Sequence, residues 1–534
     1  MSKLLPLPDF DRVSFDDLKV FTLQQDGLIN ALLDDLARAK GLKARPDVKP
    51  SGMEDGTDDD RKPGSPRTSK GAKRRKNGGR KGSVRTADLT IHADEILKPP
   101  GIPAGSQFKG RKPFVVQDLV LQPHVTRYHR EVWKTPDGKL MIAPLPDGLT
   151  GHYGPNLIRF ILAQSNECNV TEPKLLDQLH AYGIKISLSQ LNTLLTENKG
   201  EFHDDKREIL VTGLEVSSSL TTDDTTARHK KRNCITTQIG NQYFAFFETT
   251  DSKSRINFLK IILIAGTTCY RVNEAAVEYW REHNLPEVAV SALMVAAGKS
   301  FPDDAAWEKH LTDLGMAGEH HRRTASEGAL WAAITEQGLL DGTVIVSDGA
   351  PQFDVGDHAR CWIHAERLIY RLPCATPEQH KLVKKIRTRV WKLYRALKAY
   401  AKAEMIDPVA KRRLRAWFER VFTTFTGFAA LDEVLDGLLA IREKLLRVLD
   451  RPDTPLHTNG SEGDIRARVE KRKISGCTRG DEGLRCRDTF ASIIKTLRKH
   501  GISFWDYLGS RFHMPGLAVP PIGDIIRAAA AGAG

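Results

Sequence analysis

The sequence has no C-x-x-C pair and no cysteine before Cys168; its seven cysteines, at 168, 234, 269, 361, 374, 477 and 486, are scattered. That distribution argues against a zinc ribbon or a disulfide framework and fits a reducing cytoplasm. No apolar run approaches the roughly 20 residues needed to cross a bilayer. The start, "MSKLLPLPDFDRVSFDD", lacks the long apolar centre of a secretion signal. The expectation is a cytoplasmic chain with no membrane partner. Negative charge is also short: 67 acidic residues stand against 80 lysines and arginines, for a net charge of +13. A surplus of that size favours a polyanionic partner.

What is present points to several domains in 534 residues, with a hydrophobic fraction of 40% that is ordinary for buried cores. Ser14 and Asp17 open a helical pattern in which Ile29, Leu32, Leu33 and Leu36 share a face. From Pro46 the composition changes. "RKPGSPRTSKGAKRRKNGGRKGSVR" is almost free of apolar residues and reads as a disordered linker. Its run Lys73, Arg74, Arg75, Lys76 is either a solvated tether or an arm that tracks phosphates. "FVVQDLVLQ" reads as a strand, and "HVTRYHREVWKTPDGKLMIAPL" as a hairpin turning at Asp137-Gly138. Two short helices around Gly183, the second opening at Ser187 or Ser189, have the form of a helix-turn-helix.

An αβ region follows. "REILVTG" and the segment ending at Asp223 read as strands, and "CITTQIGNQYFAFFETT" as a β stretch turning at Gly240-Asn241. "SKSRINFLKIILIAG" is an amphipathic helix. Residues 275–340 are mostly helical, with a capping box expected at Thr324 and Glu327 and a polar turn at "EHHRR". Val344-Ile345-Val346 is a buried strand delivering Asp348 at its C-terminal end. Long helices fill 375–450, where Leu382, Ile386, Val390, Leu393 and Leu397 keep helical spacing. A capped basic helix follows at "TNGSEGDIRARVEKRKISG", then another helix. The tail "RAAAAGAG" reads as frayed.

Few residues carry obvious chemistry. "AAGKS" has the end of a phosphate loop, but Leu293 occupies the place of its first glycine, which excludes it. Asp348, at a strand's C-terminal end, sits where open α/β sheets place functional groups. Asp223 follows a strand-like run, and Glu462 opens a helix. Each alone is also an ordinary turn or helix-cap acid. In a basic chain the combination gains weight, because two-metal phosphodiester chemistry needs clustered carboxylates. These repel one another unless a cation is bound.

"DDTTARH", "VSDGAPQF", "CWIHAERL" and "TNGSEGDIRARVEKRKISGCTRG…DTFASIIKTLRKHGISFWDYL" resemble the blocks of DDE transposases of the insertion-sequence-66 class. The resemblance runs from about Phe108 to Leu508, and its last block is the most specific. It implies an α/β protein with an RNase H-like catalytic core interrupted by a helical insertion, plus N-terminal helical and small β DNA-binding regions. Carried onto this chain, it implies Asp223, Asp348 and Glu462 as a metal-binding catalytic triad, with Asp224 as the alternate to Asp223. The implied cofactor is Mg²⁺ or Mn²⁺; no zinc is expected, because no cysteine precedes Cys168 and no second ligand pair stands beside Cys361 and His364. The implied partners are DNA, both element ends and target, a homo-oligomer on DNA, and accessory proteins of the element. The location implied is cytoplasmic and nucleoid-associated. Two departures stand out. Family members often carry a cysteine pair near "PPGIPAGSQFKG", absent here, and the segment between Thr267 and Gly338 is longer than in many relatives.

On this basis the chain divides into a helical segment (1–45), a basic linker (46–107), a small β region (108–150) and a helical, DNA-binding region (151–205). The first part of the core (206–374), the helical insertion (375–455), the last part of the core with Glu462 (456–508) and a tail (509–534) complete it. Lys471, Arg472, Lys473 and Arg479, close behind Glu462, are candidate contacts to backbone phosphates. In "HARCWIHAER", Cys361 and His364 lie on one helical face. With no second ligand pair nearby, support of the active site ranks above a zinc site, and plain core contact close behind.

Overall fold

Threonine-rich and β-branched segments in the middle of the chain build one five-stranded sheet. Its strands are β1 (Ser219–His229), β2 (Arg232–Gly240), β3 (Ala245–Thr250), β4 (Val344–Ser347) and β5 (His358–Arg360). The computed structural model describes residues 90–532, apart from 113, 147–148, 150 and 404–406. The helix expected over 1–45, most of the basic linker and the run Lys73, Arg74, Arg75 and Lys76 therefore lie outside the described residues.

The strand order is β3-β2-β1-β4-β5. β1, β2 and β3 form an antiparallel meander, while β4 and β5 add in parallel on the other side of β1. All four residues of β4 are buried, as expected of a strand covered on both faces. The edge strand β3 does not expose its backbone to solvent. In helix α6 (Asp481–Lys499), the hydroxyls of Thr496 and Ser492 accept from the Ala245 and Phe247 amides at 3.1 and 2.9 Å. Side chains of a helix thus stand in for a missing neighbour strand.

The main core joins this sheet to the helices around it, including Glu172–Ala181 and Leu188–Thr196 through Leu175, Leu179, Leu191 and Leu195. Ser187 caps the second of these with a capping box, and Gly183 between them takes φ +81°. A second core belongs to the helices after β5, from Trp362 through Phe418 and Phe422 to Leu456. The stretch 375–455 thus carries its own apolar centre, tied back where the Trp362 indole donates to Leu445 O at 2.8 Å.

Several expectations need correction. "REILVTG" is not a strand; it lies in the helix Gly200–Glu215, whose buried Ile209, Leu210 and Leu214 keep helical spacing. A short apolar run cannot by itself separate the two. "EHHRR" is not a turn but opens the helix Glu319–Glu336. Thr324 is therefore internal, and its hydroxyl donates to His320 O rather than forming a capping box. "FVVQDLVLQ" forms no strand, and Val116, Leu119 and Val120 are exposed. A strand needs a partner edge, and this segment has none among the described residues. The hairpin beside it does form, Val132–Lys134 against Leu140–Ile142. The start of "RAAAAGAG" is not frayed: it closes the helix Ile522–Ala531, which docks through the fully buried Ile522 and Ile526 just ahead of it. No described helix is long and apolar enough to cross a membrane.

Candidate active site

The site begins with the register of the central strands. β1 and β4 run parallel with Thr221 beside Val346. Two residues further along, the same register sets Asp223 next to Asp348, just past the end of β4. Asp348 turns the chain there, its Oδ1 accepting from the Ala350 amide at 2.9 Å. The third acid arrives on helix α5 (Asn459–Ser475), in whose first turn Glu462 stands. Ser461 fixes that helix end on the sheet, its hydroxyl bonding the Thr221 hydroxyl at 2.6 Å. A helix N-terminus also favours a negative side chain.

Side-chain alternation along β1 separates the two aspartates. Asp224 is neutralised on its own face: Lys253 Nζ lies 3.0 Å from Oδ2, and the Gln352 amide donates to the same oxygen at 2.5 Å. Among the described residues, no cation acts on Asp223. Burial first, then the charges of Asp348, Glu462 and Asp224, push its carboxyl up to about 6, against the opposing hydrogen bond from the Asp224 amide. Gln238 pairs across the ladder with Asp223 and so shares its face; its amide oxygen is buried and has no hydrogen-bond partner among the described residues. Half-buried carboxylates that repel one another beside an unsatisfied acceptor oxygen form a hard-oxygen donor set, the kind Mg²⁺ or Mn²⁺ takes. Among the described residues, no three His, Cys, Asp or Glu side chains are already closed to metal-holding distance.

Glu462 has company. His364 Nε2 lies 3.6 Å and Arg367 Nη1 3.4 Å from its Oε1. Both come from helix α4 (Trp362–Tyr370), capped by Cys361. Burial alone would depress the His364 imidazole. Its contact with Cys361 and the negative charges of Glu462 and Asp348 outweigh that and raise it to about 9. Cys361 is buried, and the Thr458 hydroxyl before α5 donates to its sulfur at 3.6 Å. The Cys-x-x-His element thus joins α4 to the start of α5.

The four basic candidates behind Glu462 divide. Lys473 and Arg479 are exposed. Lys471 instead donates inward to Ser165 O, and burial together with Arg487 and Arg468 lowers its ammonium to about 8. Arg472 binds Thr226 O and pins α5 to β1. Periodicity does not reveal which face of α5 docks, and so two of the four expected phosphate contacts are internal clamps. Sequence reasoning also missed Lys253, Gln352 and Arg367; only the Gln352 position, four residues past Asp348, carried a signal.

A Ser-His-Asp arrangement lies nearby and has another use. Ser347 Oγ is 2.8 Å from His358 Nε2, and His358 Nδ1 is 3.2 Å from Asp354. Ser347 is fully buried, so no substrate reaches it. The array ties β4 to β5 beneath Asp348.

The family described as "Transposase IS66 family" matches residues 332–486, a span that holds Asp348, His364 and Glu462. The chain is 41% identical over 324 residues to "Uncharacterized protein y4jO" of Sinorhizobium fredii (strain NBRC 101917 / NGR234), covering 60% of this chain and 100% of that protein. No solved structure matches. The chain belongs to the IS66 family of transposases.

Proposed function

We propose that this transposase is of the DDE type, with an RNase H-like core, and that Asp223, Asp348 and Glu462 hold divalent cations for cleavage and transfer of DNA strands. The observation that carries the reading is the convergence of three acids from three separate segments, the middle of strand β1, the turn after β4 and the first turn of helix α5, around an Asp223 carboxyl that no cation among the described residues neutralises. The order of the sheet, an antiparallel meander extended by two parallel strands, supports the RNase H-like assignment. When bound, a pair of divalent cations supplies activation of the attacking oxygen and stabilisation of the leaving oxygen.

The chain's own residues do the rest. Asp224, locked by Lys253 and Gln352, holds the middle of β1 in place, so that Asp223 keeps its register beside Asp348. Ser461 and Arg472 hold α5 on β1, which fixes the height of Glu462 above the sheet. His364 and Arg367 orient the Glu462 carboxylate from one side and leave its other oxygen for a ligand. Exposed Lys473 and Arg479 extend a positive surface from the site for the DNA backbone.

The test is Asp223→Asn, Asp348→Asn and Glu462→Gln, each assayed for Mg²⁺-dependent nicking and for DNA binding by gel shift. Each should cut nicking by more than about 100-fold, the upper end of what losing a merely supporting group costs. DNA affinity should hold. Near-normal nicking by Glu462→Gln would remove it from the triad. A wild-type chain that binds DNA but never nicks would make this a DNA-binding protein without catalysis.

A further inference from the structure

β5 ends on Arg360, paired in parallel register with Ser347, the residue before Asp348. Its guanidinium lies flat over Gly349, the residue after Asp348. A β-carbon there would collide with the carbon and both terminal nitrogens of that group. Gly349 also takes φ +107°, a region that side-chain-bearing residues avoid. The turn carrying Asp348 is therefore shaped to admit this arginine.

Arg360 is half-buried, and among the described residues no hydrogen bond or ion pair engages its guanidinium. That is unusual here. Buried or half-buried arginines elsewhere have partners: Arg255 has Glu327, Arg468 has Asp488, and Arg511 has Asp205. Its structural neighbours cannot serve, since Ser347 and His358 bond each other and Asp354 is taken by Lys444 at 2.5 Å. A planar group with five donors, partly desolvated and unpaired, suits an anion with two adjacent oxygens. In a basic chain whose candidate site handles phosphodiesters, that anion is a backbone phosphate.

We infer that Arg360 is a phosphate-binding residue of the site, gripping the DNA backbone beside Asp348 through two parallel hydrogen bonds, with Gly349 as the platform it lies on. This rests on the proposed function for the position of the DNA, but it is tested without cleavage. Charge-assisted pairs of this kind contribute about 1.5–3 kcal/mol, equivalent to roughly 10–100-fold in affinity.

The probe is a short DNA duplex of arbitrary sequence, titrated in EDTA across a range of salt. Arg360→Ala should bind about 10-fold more weakly, and its log K against log salt slope should be shallower by roughly 0.9, one phosphate contact. Arg360→Lys should restore the slope but not the full affinity, because an ammonium keeps the charge and loses the fork. Arg360→Gln provides a second neutral variant if the alanine protein melts early. Unchanged affinity and slope in a folded neutral variant would overturn the inference. The two readings fail separately. A wild type that binds DNA through Arg360 and never nicks sinks the catalytic reading alone. Nicking with an arginine-independent slope sinks only this one.

Discussion

Asp223 and His364 are the residues whose protonation reports on the site. An aspartate raised to about 6 in the fold, from 3.8, is disfavoured once ionised. Stability should then fall as pH rises from about 4 to about 6 and stay low above. At pH 7.5, without divalent cations, Asp223→Asn should therefore raise stability by about 1–3 kcal/mol, since a carboxyl whose pKa moves by one pH unit changes stability by roughly 1.4 kcal/mol. Added Mg²⁺ should raise the wild-type melting temperature at pH 7.5 and do little at pH 5, and calorimetry across that range checks both. His364 works in the opposite sense. Raised to about 9, it adds stability that is complete below about 6.5 and is lost as pH climbs through 9. His364→Gln should flatten that alkaline loss, and should cost about 10–100-fold in nicking with DNA affinity unchanged. One equivalent of zinc in the purified wild type would instead make Cys361 and His364 metal ligands. The positions of Asp348 and Glu462 were legible because an acid after a buried strand and an acid in a first helical turn are visible in one dimension. Arg360 was not, because its significance is its lack of a partner. Lys471 and Arg472 were misplaced because a basic helix does not announce which side docks.

At the level of elements, the sheet was easier to read than its surroundings. Strands rich in β-branched residues, such as β2 with Ile235, Thr236, Thr237 and Ile239 and β4 with Val344, Ile345 and Val346, have few other readings. "REILVTG" failed because its seven residues fit both periods, and only the preceding Phe202 and Lys206, also buried, continue the helical one. The tail misled through composition: alanines say little about docking, while Ile522 and Ile526 say much. Ile526→Ala should cost about 2–5 kcal/mol, the range for a large aliphatic lost from a core, and denaturant melts measure it. α5 and α6 are joined by the buried pair Arg468–Asp488, which also reaches the Thr249 hydroxyl on β3. Asp488→Ala would leave a buried guanidinium unpaired and should cost roughly 3–5 kcal/mol. It should also lower nicking, since α5 carries Glu462.

Over the whole molecule, two apolar centres behave differently. The main core binds the helices before β1 to the sheet, whereas the centre around Trp362, Phe418 and Phe422 serves the segment inserted between β5 and α5. Phe418→Ala should destabilise that insertion by about 3–5 kcal/mol. Hydrogen exchange should then quicken in 377–440 first, with the sheet amides protected. The long helices over 375–450 were legible from periodicity, while the shared core of the early helices was not, because sequence spacing carries no record of which helix faces which. The surplus of positive charge acts over longer range. Neutralising Lys73, Arg74, Arg75 and Lys76 should weaken binding to all DNA sequences alike and reduce the salt slope by roughly 0.9 for each phosphate left without its cation.

The position of α5 in the chain also sets an order in time. At roughly 5–20 residues per second, Glu462 is synthesised tens of seconds after Asp223. The sheet up to β5 and the whole inserted helical body can settle in that interval. A nascent chain interrupted anywhere before Asn459 carries two of the three proposed catalytic acids, so the proposed centre closes only when α5 folds back onto β1. On the proposed function, the cutting edge is thus the part added last.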